Sequence, residues 1–203
     1  MTRITWKYFA LLAMLAVSGC ATKNADQDLD PSKLSETGLV FASLSTGPEG
    51  GNRPIATFGF NRGGFVNSRE EQISGPQLKP SEFEDDFGRL IALELPAGPN
   101  SLTYWSLTYG VTQYSPAKSV PEITFTVEPG KVLYLGNLHV NVEMVEDELN
   151  QQVISRLLPE IRDRRERDVA LFKSRYPLVV DADILLTQPF LGEWSQGIPL
   201  LSQ

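Results

Sequence analysis

The chain has 203 residues, a formal net charge of -7, one histidine and one cysteine. Its acidity argues against general nucleic-acid binding, which needs a basic footprint, and against an electrostatic hold on anionic lipid. A single cysteine cannot form an intrachain disulfide, so stability must come from the core.

Arg3 and Lys7 precede an apolar run, Tyr8 to Val17, that exits through Ser18 and Gly19 to Cys20. A basic start, an apolar stretch and small exit residues have the layout of a secretory signal. The run falls short of the about 20 apolar residues that span a bilayer. A short uncleaved helix is the alternative. The Val17-Ser18-Gly19-Cys20 ending resembles the lipobox of bacterial lipoproteins. That resemblance implies a signal peptide over 1–19, cut before Cys20, and acyl chains on the thiol and new amino group of Cys20. Each buried methylene contributes ~0.8 kcal/mol, so one chain binds reversibly while two or more hold the protein on its bilayer. The next residue is Ala21 rather than Asp. By the same resemblance this implies the outer membrane, periplasmic face, ahead of the inner membrane.

The stretch 20–36 is polar and short of large apolar residues, which predicts a lipidated, disordered tether. From Gly38 the pattern changes to short runs of β-branched and aromatic residues separated by Gly and Pro, the signature of an all-β domain over 37–188. Gly38–Ser45 reads as a first strand, ended by Gly47-Pro48-Glu49-Gly50-Gly51. Ile55–Asn61 follows, with Phe58 and Phe60 two apart and directed to the core. The stretch 62–86 is a long polar loop interrupted by a weak strand at Gly64–Asn67. Its acids Glu82, Glu84, Asp85 and Asp86 lack EF-hand spacing and read as a solvated face.

Arg89–Leu95, the turn Pro96-Ala97-Gly98-Pro99-Asn100 and Ser101–Tyr109 make a hairpin. Ile123–Val127 alternates strictly, Glu128-Pro129-Gly130-Lys131 turns the chain, and strand character runs from Val132 to Val142. Glu146–Asn150 is a turn. Gln151–Ile161 reads as a return strand with Val153 and Leu157 on one side, and a helical reading also survives there. The stretch 162–176 is predicted as an amphipathic helix. Val169, Phe172 and Tyr176 form its apolar stripe, and Arg164, Arg167 and Lys173 lie on the opposite face. Pro177 ends it. Val179–Leu186 is a last strand, and the apolar tail 189–203 docks on the domain or on a partner.

Two signatures carry a further resemblance: the hairpin through Leu95-Pro96-Ala97-Gly98, and the run Phe125 to Gly136 with Gly130-Lys131 and Tyr134-Leu135-Gly136 inside it. From Gly38 to Asn141 the chain resembles small periplasmic lipoproteins of the uncharacterised DUF2846 type, and transthyretin-like sandwich modules. Leu133 stands where an aromatic often falls. The resemblance implies a β-sandwich in the envelope and no catalytic residue. The fold expected is therefore mainly β: a single antiparallel β-sandwich, transthyretin- or Ig-like, with one C-terminal helix packed on it.

Chemistry-bearing residues are sparse. His139 is predicted on a strand, at the surface or half-buried, with Asn137 and Asn141 on its face; a catalytic triad would need a nucleophile and an acid beside it. No nucleophile elbow, phosphate loop or dinucleotide fingerprint occurs, and zinc lacks ligands. No cofactor or metal is expected. A carboxylate pair drawn from Asp163, Asp168, Asp181 and Asp183 is the conceivable catalytic device, though acids beside an Arg-rich helix are usually paired or solvated. Tyr104 falls on one strand face, and Trp105 and Tyr109 on the other; with Tyr114 they form either core or a partner platform. The leading expectation is a non-enzymatic binding or assembly module of the envelope, anchored in lipid through Cys20 and meeting an envelope protein. The alternatives are an envelope-polymer hydrolase, or a carrier of a small apolar ligand between sheet and helix.

Overall fold

The computed structural model describes residues 24–47, 54–68, 81–186, 189–195 and 197–199. The signal region, Cys20 and the middle of the long loop lie outside these residues.

In chain order the strands are β1 (Thr37–Thr46), β2 (Ile55–Phe60), β3 (Gly64–Asn67), β4 (Phe87–Pro96), β5 (Gly98–Tyr109) and β6 (Thr112–Tyr114). Then come β7 (Ile123–Val127), β8 (Val132–Glu146) and β9 (Gln152–Arg162). The helix α1 (Arg165–Arg175) follows, and the short strands β10 (Ile184–Leu185), β11 (Gly192–Glu193) and β12 (Ile198–Pro199) close the chain. One sheet has the order β11-β9-β8-β1-β4, with β10 beside β8 and β12 beside β9. The other has the order β3-β2-β5-β6, with β7 also on β5. The protein is a β-sandwich with one helix. It is not wholly antiparallel: β1 runs parallel to β8, and so does β10.

Between the sheets lies the main core, with Val40, Leu44, Phe58, Trp105, Leu107 and Leu138 among its members. A second cluster sits on the outer face of the larger sheet, where Leu39, Phe41, Leu90 and Tyr134 meet Phe172 and Tyr176 of the helix region. The strand compositions explain the difference. β1, β4 and β8 are near-continuous apolar runs and are buried on both faces. β7 alternates buried and exposed, so one of its faces remains outside.

Local chemistry sets the turns. Pro129 and Gly130 (φ +71°) occupy the middle of the β7–β8 turn, and the Lys131 N–H donates to Glu128 O at 3.2 Å, the arrangement a type II turn requires. Gly136 (φ +104°) lies at the register shift where β8 slips against β1. Before it, Leu133 and Leu135 face the main core; after it, Leu138, Val140 and Val142 do. The bulge therefore inverts the alternation, and it places Asn137 and His139 on the same outer face as Tyr134.

Several expectations are corrected. The 151–161 stretch is a strand, but a shift near Ser155 puts Ile154, not Val153, with Leu157 in the core. The helix begins at Arg165, and Arg162 belongs to β9. Val179–Leu186 contributes only a 3-10 turn at Asp181–Asp183 and the two residues of β10. The described part of the 20–36 stretch is not a free tether. Ala25 N–H donates to Ala92 O at 2.7 Å, Asn24 Oδ1 accepts from Ala92 N at 3.1 Å, and Pro31 is buried. Unpaired backbone on the β4 edge attracts it, and its own polar side chains do not oppose that. The tail docks on the domain: β11 and β12 pair with β9, and Trp194 is buried with its Nε1–H on Pro121 O at 2.7 Å.

Candidate functional site

Two outer faces are candidates, one under α1 and one on the smaller sheet. Under α1 the second cluster is apolar at one end and polar at the other. Asp168 projects from the helix into the sheet and is fully buried. Its Oδ2 accepts from Ser43 Oγ at 2.5 Å and from Tyr134 OH at 2.7 Å, and its Oδ1 accepts from Arg167 Nε at 2.9 Å. Arg167 also donates to Asp85 at 2.7 Å and lies 3.8 Å over the Phe83 ring. From β9, Arg162 donates to Asp86 at 2.6 Å, to Asn137 Oδ1 at 2.8 Å and to His139 Nδ1 at 2.9 Å. Ser45 Oγ lies 2.8 Å from the same Nδ1.

His139 is therefore buried, 3 % exposed, and not at the surface or half-buried as its strand position suggested. The Gly136 bulge turns it under the helix region. An arginine N–H can only donate, so Nδ1 is an acceptor and the ring proton sits on Nε2. Burial, then the charges of Arg162, Arg164 and Arg167, push its pKa down to about 3. Burial, then the Asp168 carboxylate, raises the Tyr134 hydroxyl above its ordinary range. Burial works against the charge on Arg167, but Asp168 and Asp85 outweigh it and raise its pKa.

A serine 2.8 Å from a histidine nitrogen has the outline of a nucleophile and its base. Here Ser45 is fully buried, and its partner nitrogen also accepts a hydrogen bond from Arg162. A ring held neutral down to about pH 3 is a weak base near neutrality. The pair ties β1 to β8 and β9.

The acids do not converge. Asp163 pairs with Arg165 at 3.1 Å, Asp181 with Lys173 at 2.6 Å and Asp183 with Lys131 at 2.7 Å, while Asp168 is enclosed. The hydrogen bonds from Arg165 hold Asp163 below the usual carboxylate range. Asp85 is raised by burial but held low overall by Arg167. The acidic patch read as solvated is partly structural: Asp86 is buried against Arg162, and Glu82 accepts from Leu90 N at 2.7 Å while pairing with Arg175. Glu84 is exposed. A polar depression of about 470 Å³ opens at the start of α1, lined by Asp85, Asp163 and residues 164–167. Among the described residues, no group of three or more His, Cys, Asp or Glu could hold a metal ion. No described helix is long and apolar enough to cross a membrane.

The second face is built differently. In β5, Trp105 and Leu107 point to the core, while Tyr104, Ser106 and Thr108 point outward opposite Gly59, Thr57 and Ile55 of β2. Tyr109 and Tyr114 pack against the main core. Helix α1 covers the larger sheet and not this one, so Tyr104 stands outside. Gly59 pairs with both Tyr104 and Phe65, and a Cβ there would meet their side chains at 2.9 and 3.0 Å. The bare glycine lets the two rings meet edge to face, with centroids 5.4 Å apart. Phe65 is 63 % exposed. Gln113 reaches over from β6 to Ser106 Oγ at 3.2 Å. The sequence marked Tyr104 but passed over Phe65, whose only signal was a weak strand.

Compared with known proteins, the chain matches no family model, no curated protein and no solved structure.

Proposed function

We propose that this protein is a non-enzymatic binding or assembly module of a bacterial cell envelope, held on the outer membrane by acyl chains on Cys20. Its partner is an envelope protein, met through the outer face of the smaller sheet. One observation carries this reading. Phe65, 63 % exposed, stands edge-on to Tyr104 on a face that the helix does not cover. An exposed aromatic ring supported by a second, half-buried one is a usual anchor of protein interfaces. Two further observations oppose the alternatives. Each candidate acid has its own cation, and in the depression at the start of α1 Asp163 and Asp85 are paired with Arg165 and Arg167, which disfavours the acid pair that sugar hydrolysis requires. The space between sheet and helix is filled by Phe41 stacked on Phe172 at 4.1 Å, where a carrier would keep a cavity.

The test is photo-cross-linking in intact cells. A photoreactive phenylalanine at position 65 is expected to give a discrete protein adduct that Tyr104→Ser removes. The same probe at Val111, fully exposed on the β5–β6 turn, is expected to give none. Equal capture at both positions, or no adduct together with turnover of peptidoglycan fragments, would overturn the proposal in favour of a hydrolase.

A further inference from the structure

The anchored reading has a geometric consequence that its usual picture, a domain swinging on a leash, does not share. Three residues, Ala21 to Lys23, separate Cys20 from Asn24. Asn24 and Ala25 are hydrogen-bonded to Ala92 on the edge of β4. The Tyr176 hydroxyl, just past α1, donates to Ala25 O at 3.1 Å. A fully extended chain spans at most ~3.6 Å per residue, so the acylated residue can lie no more than about 14 Å from this point. The headgroup layer on each side of a bilayer is itself roughly 5–8 Å thick. The end of α1 and the β4 edge must therefore sit at the lipid surface.

What the domain exposes there includes two apolar side chains beside the exposed acids Asp26, Asp28 and Asp181. Leu178 and Val180, 52 % and 57 % exposed, flank Val179, which is buried in the cluster against which Ala25 and Leu29 pack. The neighbouring cations are already paired, Lys173 with Asp181 at 2.6 Å and Arg175 with Glu82 at 3.0 Å. Paired cations in an acidic chain offer little to anionic lipid.

Resting on the acylation of Cys20, we infer that Leu178 and Val180 form a membrane-contact edge. They dip into the same bilayer that holds the acyl chains and fix the domain's orientation on it. The contact is apolar and does not depend on anionic lipid. The occupant is set by the length of chain between Cys20 and Asn24, which keeps this end of the domain within reach of the lipid.

The protein supplies a quiet background for the test. Trp6 leaves with the signal, and Trp105 and Trp194 are 0 % and 5 % exposed. The lipidated full chain, carrying Leu178→Trp, is reconstituted into phosphatidylcholine vesicles with brominated acyl chains. Val180→Trp is the second reporter. Leu149→Trp, 74 % exposed at the β8–β9 hairpin, is the control. Tyr134 is level with Phe41 and Ala92, and β8 runs on from it to Glu146, roughly 40 Å at about 3.3 Å per residue.

The new tryptophans at 178 and 180 are expected to be quenched several-fold more than the one at 149, with or without anionic lipid. Equal, weak quenching at all three positions on protein whose acyl chains are confirmed by mass spectrometry would overturn the contact edge and leave the anchor standing. A blue shift without bromine quenching would assign the edge to a second protein surface and also overturn it. Absence of acyl chains from Cys20 would remove both.

Discussion

The two outer faces of this sandwich have opposite fates. The larger sheet carries Leu39, Phe41, Leu90 and Tyr134 outward and is roofed by α1. The smaller sheet carries Ile55, Thr57, Gly59, Tyr104, Ser106 and Thr108 outward and has no helix over it; Gln113 of β6 covers the buried Ser106, and Phe65 stays exposed. The difference is one of composition. A face of large apolar side chains must be covered, whereas a face of small and hydroxyl-bearing ones is stable in water. An exposed phenylalanine is ordinary on the first kind of sheet before its roof arrives. On the second kind it has no structural debt to settle, and that is why Phe65 reads as functional.

The largest expected effect breaks the roof. Phe172 is fully buried and stacks on Phe41 at 4.1 Å and on Tyr176 at 4.7 Å. Phe172→Ala should cost roughly 3–5 kcal/mol of unfolding free energy. Urea titration read by circular dichroism measures this. A loss below about 0.5 kcal/mol, the range of surface substitutions, would mean that the helix is a loose cover.

A smaller effect probes the polar half of the roofed face. His139 is held at about 3, below the ordinary value of 6.5, so the folded state stays neutral while the unfolded chain takes a proton between those limits. The unfolded state binds more protons there, and stability falls as pH falls from about 6.5 toward 3, by up to ~1.4 kcal/mol per unit from this ring. In His139→Asn the amide oxygen replaces Nδ1 as acceptor for Arg162 and Ser45, and nothing titrates. The variant's stability curve should be flatter across that window, read by thermal unfolding at a series of pH values. Parallel curves would show that the folded protein protonates the ring.

The roofed face was also the harder one to read. Strands β2, β5 and β7 are legible in their alternation, β4 and β8 in their apolar runs, and all in the Gly and Pro chemistry of the turns between them. The apolar stripe Val169, Phe172, Tyr176 is legible in its helical spacing. His139 was not, because its direction depends on the Gly136 bulge, upstream in the same strand. An isolated glycine inside a strand is a signal for a bulge, but its effect on every later side chain is a matter of register. Arg167 was read only as lying on the helix face opposite the apolar stripe. Its acids Asp85 and Asp86 come from a loop far away in the chain, and long side chains fold back onto partners that spacing along a helix does not reveal. Asn24 to Leu34 had the composition of a tether. The backbone hydrogen bonds that hold it carry no side-chain signature.

The smallest stability effect is the sharpest functional one. Phe65 is 63 % exposed, its ring lying on Gly59 and against Tyr104, so Phe65→Ala should change unfolding free energy by no more than about 0.5 kcal/mol, the range of surface substitutions. If the bare face is a docking platform, the same truncation should abolish the adduct captured by a photoreactive group at Thr57, which lies on the same outer face. An interface anchor lost in this way typically costs 2 kcal/mol or more of binding, about thirtyfold in affinity. The two readouts move in opposite senses for Phe172→Ala, which should cost stability and spare the contact in whatever fraction remains folded. If Phe65→Ala destabilises the fold as Phe172→Ala does, the exposed ring is structural after all, and the contrast between the two faces disappears. If it leaves both stability and capture unchanged, Phe65 plays no part in docking and the proposed platform loses its anchor.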